Sequence, residues 1–435
     1  MAILGSRGAN LRALTPLFAG IPNVSLAGSL STDHADTAWV LICSALVMLM
    51  CLPGIAIFYG GLIRRKNVLS VLAQCFAVAS IASLLWFFIG FPFAFGEAEH
   101  CGNWLCTVNV TASGETMRTG MVRTIPTSAF LMFQMTFAAI APALSLGGFA
   151  ERMRFGAVLL YTSLWSVLVY TPVAQWVWGG GWLQRLGALD FAGGIVVHVA
   201  SGVSALVAAL VIGQRTHRHA VTPPHSLPLV AIGGGLLWVG WFGFNGGSAL
   251  AANEDAASAV LVTHLAACSG ALTWMAAEWK RYRKPSISGV LTGAVAALVT
   301  ITPASGYVTP AAGVVIGAMG SVLAFAALLV IRARFSVDDA LDVSPIHGVA
   351  GIVGALLTAV FAQAQFGGMG LPEGRGLIEQ FGVQCLSCVA VVLWSGGISY
   401  LLLQLTDRLV GLRVDELEES VGLDIAEFGE SGYDN

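Results

Sequence analysis

The sequence predicts an all-α membrane protein: about eleven transmembrane helices built as an inverted 5+5 repeat plus one extra helix, N-terminus out and C-terminus in. Three observations carry this expectation. Of 435 residues, 56% are hydrophobic and only 10% are charged, where a soluble domain carries roughly a quarter charged; mean hydropathy is +0.79. The apolar residues fall in blocks of roughly 20, the length a helix needs to cross a ~30 Å hydrocarbon core, and lack the alternation of barrel strands. The basic residues cluster in every second loop.

The blocks run near residues 37–62, 68–93, 124–149, 156–178, 190–213, 227–250, 256–278, 286–306, 311–332, 343–364 and 378–406. The last is long enough for a tilted span. The 52 glycines suit helices whose backbones approach closely. With the N-terminus outside, the inner loops take 15 of the 21 basic residues, among them Arg64, Arg65, Lys66, Arg152, Arg154, Arg215, Lys280, Arg281, Arg283 and Lys284. The outer segments keep Arg7, Arg12, Arg118, Arg123, Arg185 and Arg375. Cytosolic loops collect Lys and Arg, so this count sets the orientation and supports the number of spans. Residues 1–32 read as a signal peptide, cleaved near Ser25-Leu26-Ala27, or as a loose tail. Residues 33–408 form the transmembrane domain, and 409–435 a cytosolic, acidic tail too small for a domain. The net charge of −3, with no basic patch, leaves out a nucleic-acid partner.

Two short matches relate the halves. Phe58-Tyr59-Gly60-Gly61 closes the first block, and Phe244-Asn245-Gly246-Gly247 lies in the sixth. Asp190 precedes His198 by eight residues, and Asp339 precedes His347 by eight. Five spans per copy is odd, so the second copy enters from the opposite face. Inverted repeats place a transport site between the halves near the midplane.

His198 and His347 are the first candidates for chemistry. Both sit in apolar segments, and ionisable groups inside a bilayer usually face the bundle interior. Burial disfavours imidazolium, and a neutral imidazole offers one donor and one acceptor. Three readings stand open: two rings in contact lining a path, two unrelated packing histidines, or a metal pair, for which no nearby carboxylate or cysteine completes a site. Asp190, at the start of the fifth span, is expected to cap the helix and pull on cations at long range; the alternative is a direct cation ligand. Spacing alone singles out none of Phe133, Phe137, Trp178 and Phe244, and an interfacial belt is the plain expectation for Trp178. Cys43, Cys51, Cys75, Cys268, Cys385 and Cys388 are expected to be buried small residues. Cys101 and Cys106 lie in a polar outer loop that permits a local disulfide. His217, His219 and His225 read as solvated, and Asp338, Asp339 and Asp342 as helix-start residues.

Several motifs carry a resemblance. Pro53-Gly-Ile-Ala-Ile-Phe-Tyr-Gly-Gly-Leu-Ile-Arg64 with Lys66-Asn-Val-Leu-Ser70 resembles the first-span signature of Amt/Mep/Rh ammonium transporters. So do Thr136-Phe-Ala-Ala139, Glu151-Arg-Met-Arg-Phe155, Val177-Trp-Gly-Gly-Gly181, Gly187 to Gly194, Gly240-Trp-Phe-Gly-Phe-Asn245, Val343 to Gly351 and Gly411-Leu-Arg-Val414. The likeness runs from about Asp36 to the C-terminus, and Trp178 is similar to the Amt branch. It implies a multi-pass cell-membrane protein, expected in a bacterial inner membrane, that carries ammonium or ammonia, with methylammonium as analogue, and needs no cofactor or metal. It implies a homotrimer with one pore per subunit, and a PII-type regulatory protein on the cytosolic face. Trp178, Phe137 and Ser248 would recruit ammonium at the outer vestibule, Phe137 and Phe244 would form a gate, and His198 and His347 would line the pore. Asp190 would support the outer half without lining it. The chain departs from the pattern at Phe428, where Amt tails commonly have histidine, which bears on the PII partner, and at Pro345 beside His347. An ammonium sensor on the same fold and an intramembrane enzyme are the rival classes; no nucleophile accompanies the histidines for the latter.

Overall fold

The computed structural model describes residues 32–96, 121–216, 224–335, 337–372 and 374–433. The signal-peptide or tail reading of the N-terminus, the Cys101–Cys106 pair, and His217 and His219 lie outside these residues. Among the described residues, ten helices are long and apolar enough to cross a membrane: α1 (His34–Leu62), α2 (Arg65–Phe95), α3 (Thr127–Gly148), α4 (Phe155–Arg185), α5 (Gly194–Ile212), α6 (Leu227–Gly247), α7 (Glu254–Tyr282), α9 (Pro310–Arg334), α10 (Ser344–Phe361) and α11 (Leu377–Val410). The block expected at 286–306 is a shorter helix, α8 (Ile287–Ile301), which continues as turns through Tyr307. Ten long helices and this short one make the eleven elements the hydropathy predicts. A two-stranded hairpin, β1 (Met121–Val122) and β2 (Ile125–Pro126), precedes α3.

Several helices carry a wide turn, at Met50–Gly54, Trp86–Gly90, Ser166–Tyr170, Gly194–Val199 and Ser344–Val349. Proline lies in or just beyond four of these, at Pro53, Pro92, Pro172 and Pro345, and inside a helix its missing N–H and ring clash break the regular ladder. Pro172 leaves the Leu168 carbonyl, four residues earlier, without its helical donor, and Trp394 Nε1–H of α11 donates to that carbonyl at 3.1 Å.

The inverted repeat is visible in how the halves touch. The opening helices α1 and α6 pack through glycine: a Cβ at Gly233 would strike the Phe58 backbone, and one at Gly240 would strike Met50. The closing helices α5 and α10 cross at the centre in a reciprocal way. A Cβ on Gly202, four residues after His198, would collide with Gly348, which follows His347. A Cβ on Gly351, four residues after His347, would lie 3.2 Å from the backbone nitrogen of Val199, which follows His198. Small residues at such crossings let backbones meet.

The inner face is tied by charge. Glu151, 1% exposed, pairs with Arg64 at 2.8 Å and Arg215 at 2.5 Å, and accepts from Asn67 Nδ2–H. Arg215 in turn clasps Asp338. Burial alone would raise the Glu151 carboxyl; Arg215 and Arg64 outweigh it and hold the group below its ordinary range.

The acidic tail, which reads as short and polar, is docked. It forms α12 (Glu416–Val421) and α13 (Leu423–Phe428). Asp424 accepts from the N–H groups of Leu69 and Ser70 at the start of α2, and Glu427 accepts from Phe155 N–H at the start of α4. Exposed helix starts have orphan donors, and these carboxylates supply them. His225, expected to be solvated, contacts the Ile63 carbonyl and Tyr433 Oη, with Arg65 over the Tyr433 ring. Of the three inner aspartates only Asp339 serves as a helix-start acceptor; Asp338 holds Arg215 and Asp342 pairs with Arg332. Cys268 and Cys385 are half-buried rather than buried.

Candidate functional site

The site is assembled from the start of α5. Gly193 takes φ 108°, a left-handed conformation that glycine adopts without strain, and turns the chain into the helix. Asp190 fixes that turn. Its Oδ1 accepts from Gly193 and Gly194 N–H at 2.9 and 2.6 Å, and its Oδ2 from Ile195 and Val196 N–H at 2.8 and 3.0 Å. Both oxygens are engaged by the four donors a helix start leaves open. Asp190 is therefore a cap, with no lone pair directed at a ligand.

Trp178 is not in an interfacial belt. Its Nε1–H donates to the Asp190 carbonyl at 2.9 Å, and its ring meets Phe137 edge-on at 5.8 Å. Phe137 lies 4.3 Å from Phe244 between ring centroids, and Phe133 lies 5.0 Å from Phe137. Phe244 stacks on His198 at 5.8 Å, and His198 reaches His347 at 5.2 Å. A continuous file of rings thus descends from a half-exposed tryptophan to two buried imidazoles. Ser248 ends the helix that carries Phe244 and donates to the Phe244 carbonyl at 2.8 Å; it remains partly exposed.

The two imidazoles approach Nδ1 to Nδ1 at 3.2 Å. Two neutral rings satisfy that contact only as complementary tautomers, one Nδ1–H donating to the other's lone pair. His198 Nε2 then has no protein partner. Both rings border a narrow void of about 20 Å³, whose walls are Ile, Leu, Val, Met and aromatic side chains from α1, α3, α6 and α8. Tyr59 lines its inner end, and its Oη–H donates to the Leu144 carbonyl at 2.9 Å.

Of the residues the sequence singles out, Trp178, Phe137, Phe244, His198 and His347 come together, with Asp190 beneath Trp178. Trp241 is an addition. It stacks on His198 at 5.3 Å, and its Nε1–H donates to Thr302 Oγ1 at 2.9 Å. Its signal was the spacing of three from Phe244, which sets both on one helix face. Among the described residues no group of three or more His, Cys, Asp or Glu is placed to hold a metal ion.

Membrane-length helices around a narrow apolar void bordered by two imidazoles define a multi-pass membrane protein that passes a small polar solute. Comparison with known proteins sharpens this. Residues 38–433 match the family model of the Ammonium Transporter Family. An ammonium transporter of Aquifex aeolicus is 45% identical, the match covering 92% of this chain and 94% of that one. The ammonium transporter Amt1 of Archaeoglobus fulgidus is 39% identical over 92% of this chain and 100% of its own. Among solved structures, the Mep2 crystal structure from Candida albicans superposes with a TM-score of 0.79 at 35% identity, covering 92% and 90% of the two chains. A sensor Amt protein gives 0.83 at 30% identity, covering 91% and 98%. The chain belongs to the ammonium transporter family. It is a multi-pass protein of the cell membrane, and ammonium transport is its function.

Proposed function

We propose that the chain takes up ammonium at Trp178, Phe137 and Ser248, removes its proton at the Phe137–Phe244 gate, and conducts neutral ammonia past His198 and His347. What supports this reading is the file of rings that ends on two touching imidazoles inside an apolar void. Moving a bare cation into such a medium costs on the order of tens of kcal/mol. An aromatic face returns about 0.5–2 kcal/mol, and a charged hydrogen bond about 1.5–3. The outer mouth can therefore hold a partly hydrated cation, and the void cannot pass one. Ammonium escapes this limit by losing a proton. Ammonia then exchanges hydrogen bonds with imidazole nitrogens, while potassium has no neutral form. The proton either returns outward or is relayed separately along the histidines.

Purified protein in liposomes tests the proposal: ammonium flux without potassium flux is expected, and equal flux of the two overturns it. The proposal extends to a homotrimer with one lumen per subunit and to a PII-type protein at the inner face. Phe428 packs edge-on against Phe155 at 5.0 Å, so that partner would meet a tail already seated. A second reading, sensing rather than bulk transport, draws on the likeness to a chain described as a sensor Amt protein. A variant without flux that still signals would favour it.

A further inference from the structure

The repeat gives each of the two crossing helices an aspartate at its start, and the two aspartates differ. Asp190 engages both oxygens with four backbone donors. Asp339 engages one: its Oδ2 accepts from Ser344 N–H at 2.6 Å and Ser344 Oγ–H at 2.7 Å. Its Oδ1 accepts no hydrogen bond although the residue is only 9% exposed. Buried polar atoms are nearly always partnered, and an exception asks for a ligand.

The surroundings place Asp339 where the lumen ends. Leu341 N–H donates to the Gly147 carbonyl at 3.0 Å, and a Cβ on Gly147 would lie 3.3 Å from the Tyr59 ring. The Tyr59 side chain lines the inner end of the void. The nearby cations offer Oδ1 no donor. Arg152 donates to the carbonyls of Gly148, Ala150, Asp338 and Gly213, and Arg332 pairs with Asp342.

We propose that Asp339 Oδ1 is a ligand for an ammonium-sized monovalent cation at the cytosolic mouth. This rests on the conduction of neutral ammonia proposed above. Ammonia leaving the void takes a proton from hydronium, leaving water, and the carboxylate holds the ammonium that forms. A single free oxygen suits weak, brief binding, as release requires. It does not suit calcium, which takes six or more oxygens. The outer mouth binds through rings and the inner mouth through a carboxylate, so the two ends of the symmetric fold do different work.

Methylammonium KM measured separately in right-side-out and inside-out membrane vesicles tests this. Asp339→Asn keeps an oxygen for both Ser344 donors and replaces Oδ1 with an amide group. Its KM from the cytosolic face should rise about tenfold, as loss of one charged hydrogen bond implies, with the outer KM unchanged. Asp339→Glu, a second variant that keeps the charge and displaces it, should also shift only the cytosolic KM. Ser344→Ala removes one hydroxyl and leaves Oδ1 in place, so its cytosolic KM should stay within about twofold of the parent. Equal shifts at both faces, or none at either, overturn the proposal. Potassium flux matching methylammonium flux in the unaltered protein overturns the conduction reading itself.

Discussion

Asparagine at position 190 separates a cap from a cation ligand. The Asp190 carboxylate accepts four backbone N–H groups, two per oxygen. An asparagine has one oxygen for two of these donors and turns an NH₂ toward the other two. Two charge-assisted hydrogen bonds are lost, at roughly 1.5–3 kcal/mol each, so the cost is about 3–6 kcal/mol. Removing negative charge from the helix start adds about 0.5–1 kcal/mol. The damage lands on the turn that leads into His198, and a displacement of about 1 Å there lowers transport on the order of 100-fold. Thermal unfolding of the solubilised protein and methylammonium uptake, measured on the same preparation, form the assay. Both should fall together, unfolding by about 5 °C or more. An Asp190→Asn protein that melts with the parent and yet fails to transport would refute the reasoning, since Asp190 would then be acting on the cation itself.

Trp178→Ala removes an aromatic face worth about 0.5–2 kcal/mol to a cation, so the KM for outer uptake should rise roughly 2- to 30-fold with little change in maximal rate. Gly202→Val drives a side chain into the Gly348 backbone and forces α5 from α10; the variant should give little monodisperse protein by size-exclusion chromatography. Glu151→Gln keeps one amide oxygen but removes the buried negative charge that Arg64 and Arg215 share, and should cost about 3 kcal/mol, read as a lower unfolding temperature at neutral pH. In the parent, the Glu151 and Asp338 carboxyls are held below their ordinary values of 4.5 and 3.8. Their stabilisation is therefore complete above those values and is lost as pH falls through the lower folded-state ones; melting against pH should show that acid-side decline, and show it weakened in Glu151→Gln.

The spans were legible because a membrane imposes its thickness on composition: 227–250 was expected and α6 occupies Leu227–Gly247. The Asp–His spacing of eight was legible because the repeat uses one local device twice, an acceptor at a helix start two turns before the imidazole. Two features were not. Trp241 stacks on His198, yet a tryptophan in an apolar block looks the same whether it faces lipid or lumen. The tail reads as short and polar because its carboxylates are acidic residues among polar ones. Their partners are the α2 and α4 helix starts, far away in sequence, and no local pattern marks such pairings.

Those tail contacts bear on how the protein is made. Leu69, Ser70 and Phe155 leave the ribosome well before their partners: Asp424 follows Ser70 by 354 residues, and Glu427 follows Phe155 by 272. Two early helices therefore wait with bare amide groups at the water's edge until Asp424 and Glu427 emerge. A ribosome that stops short of residue 424 leaves a bundle whose cytosolic rim has not been sealed, and a quality-control protease has its opening there.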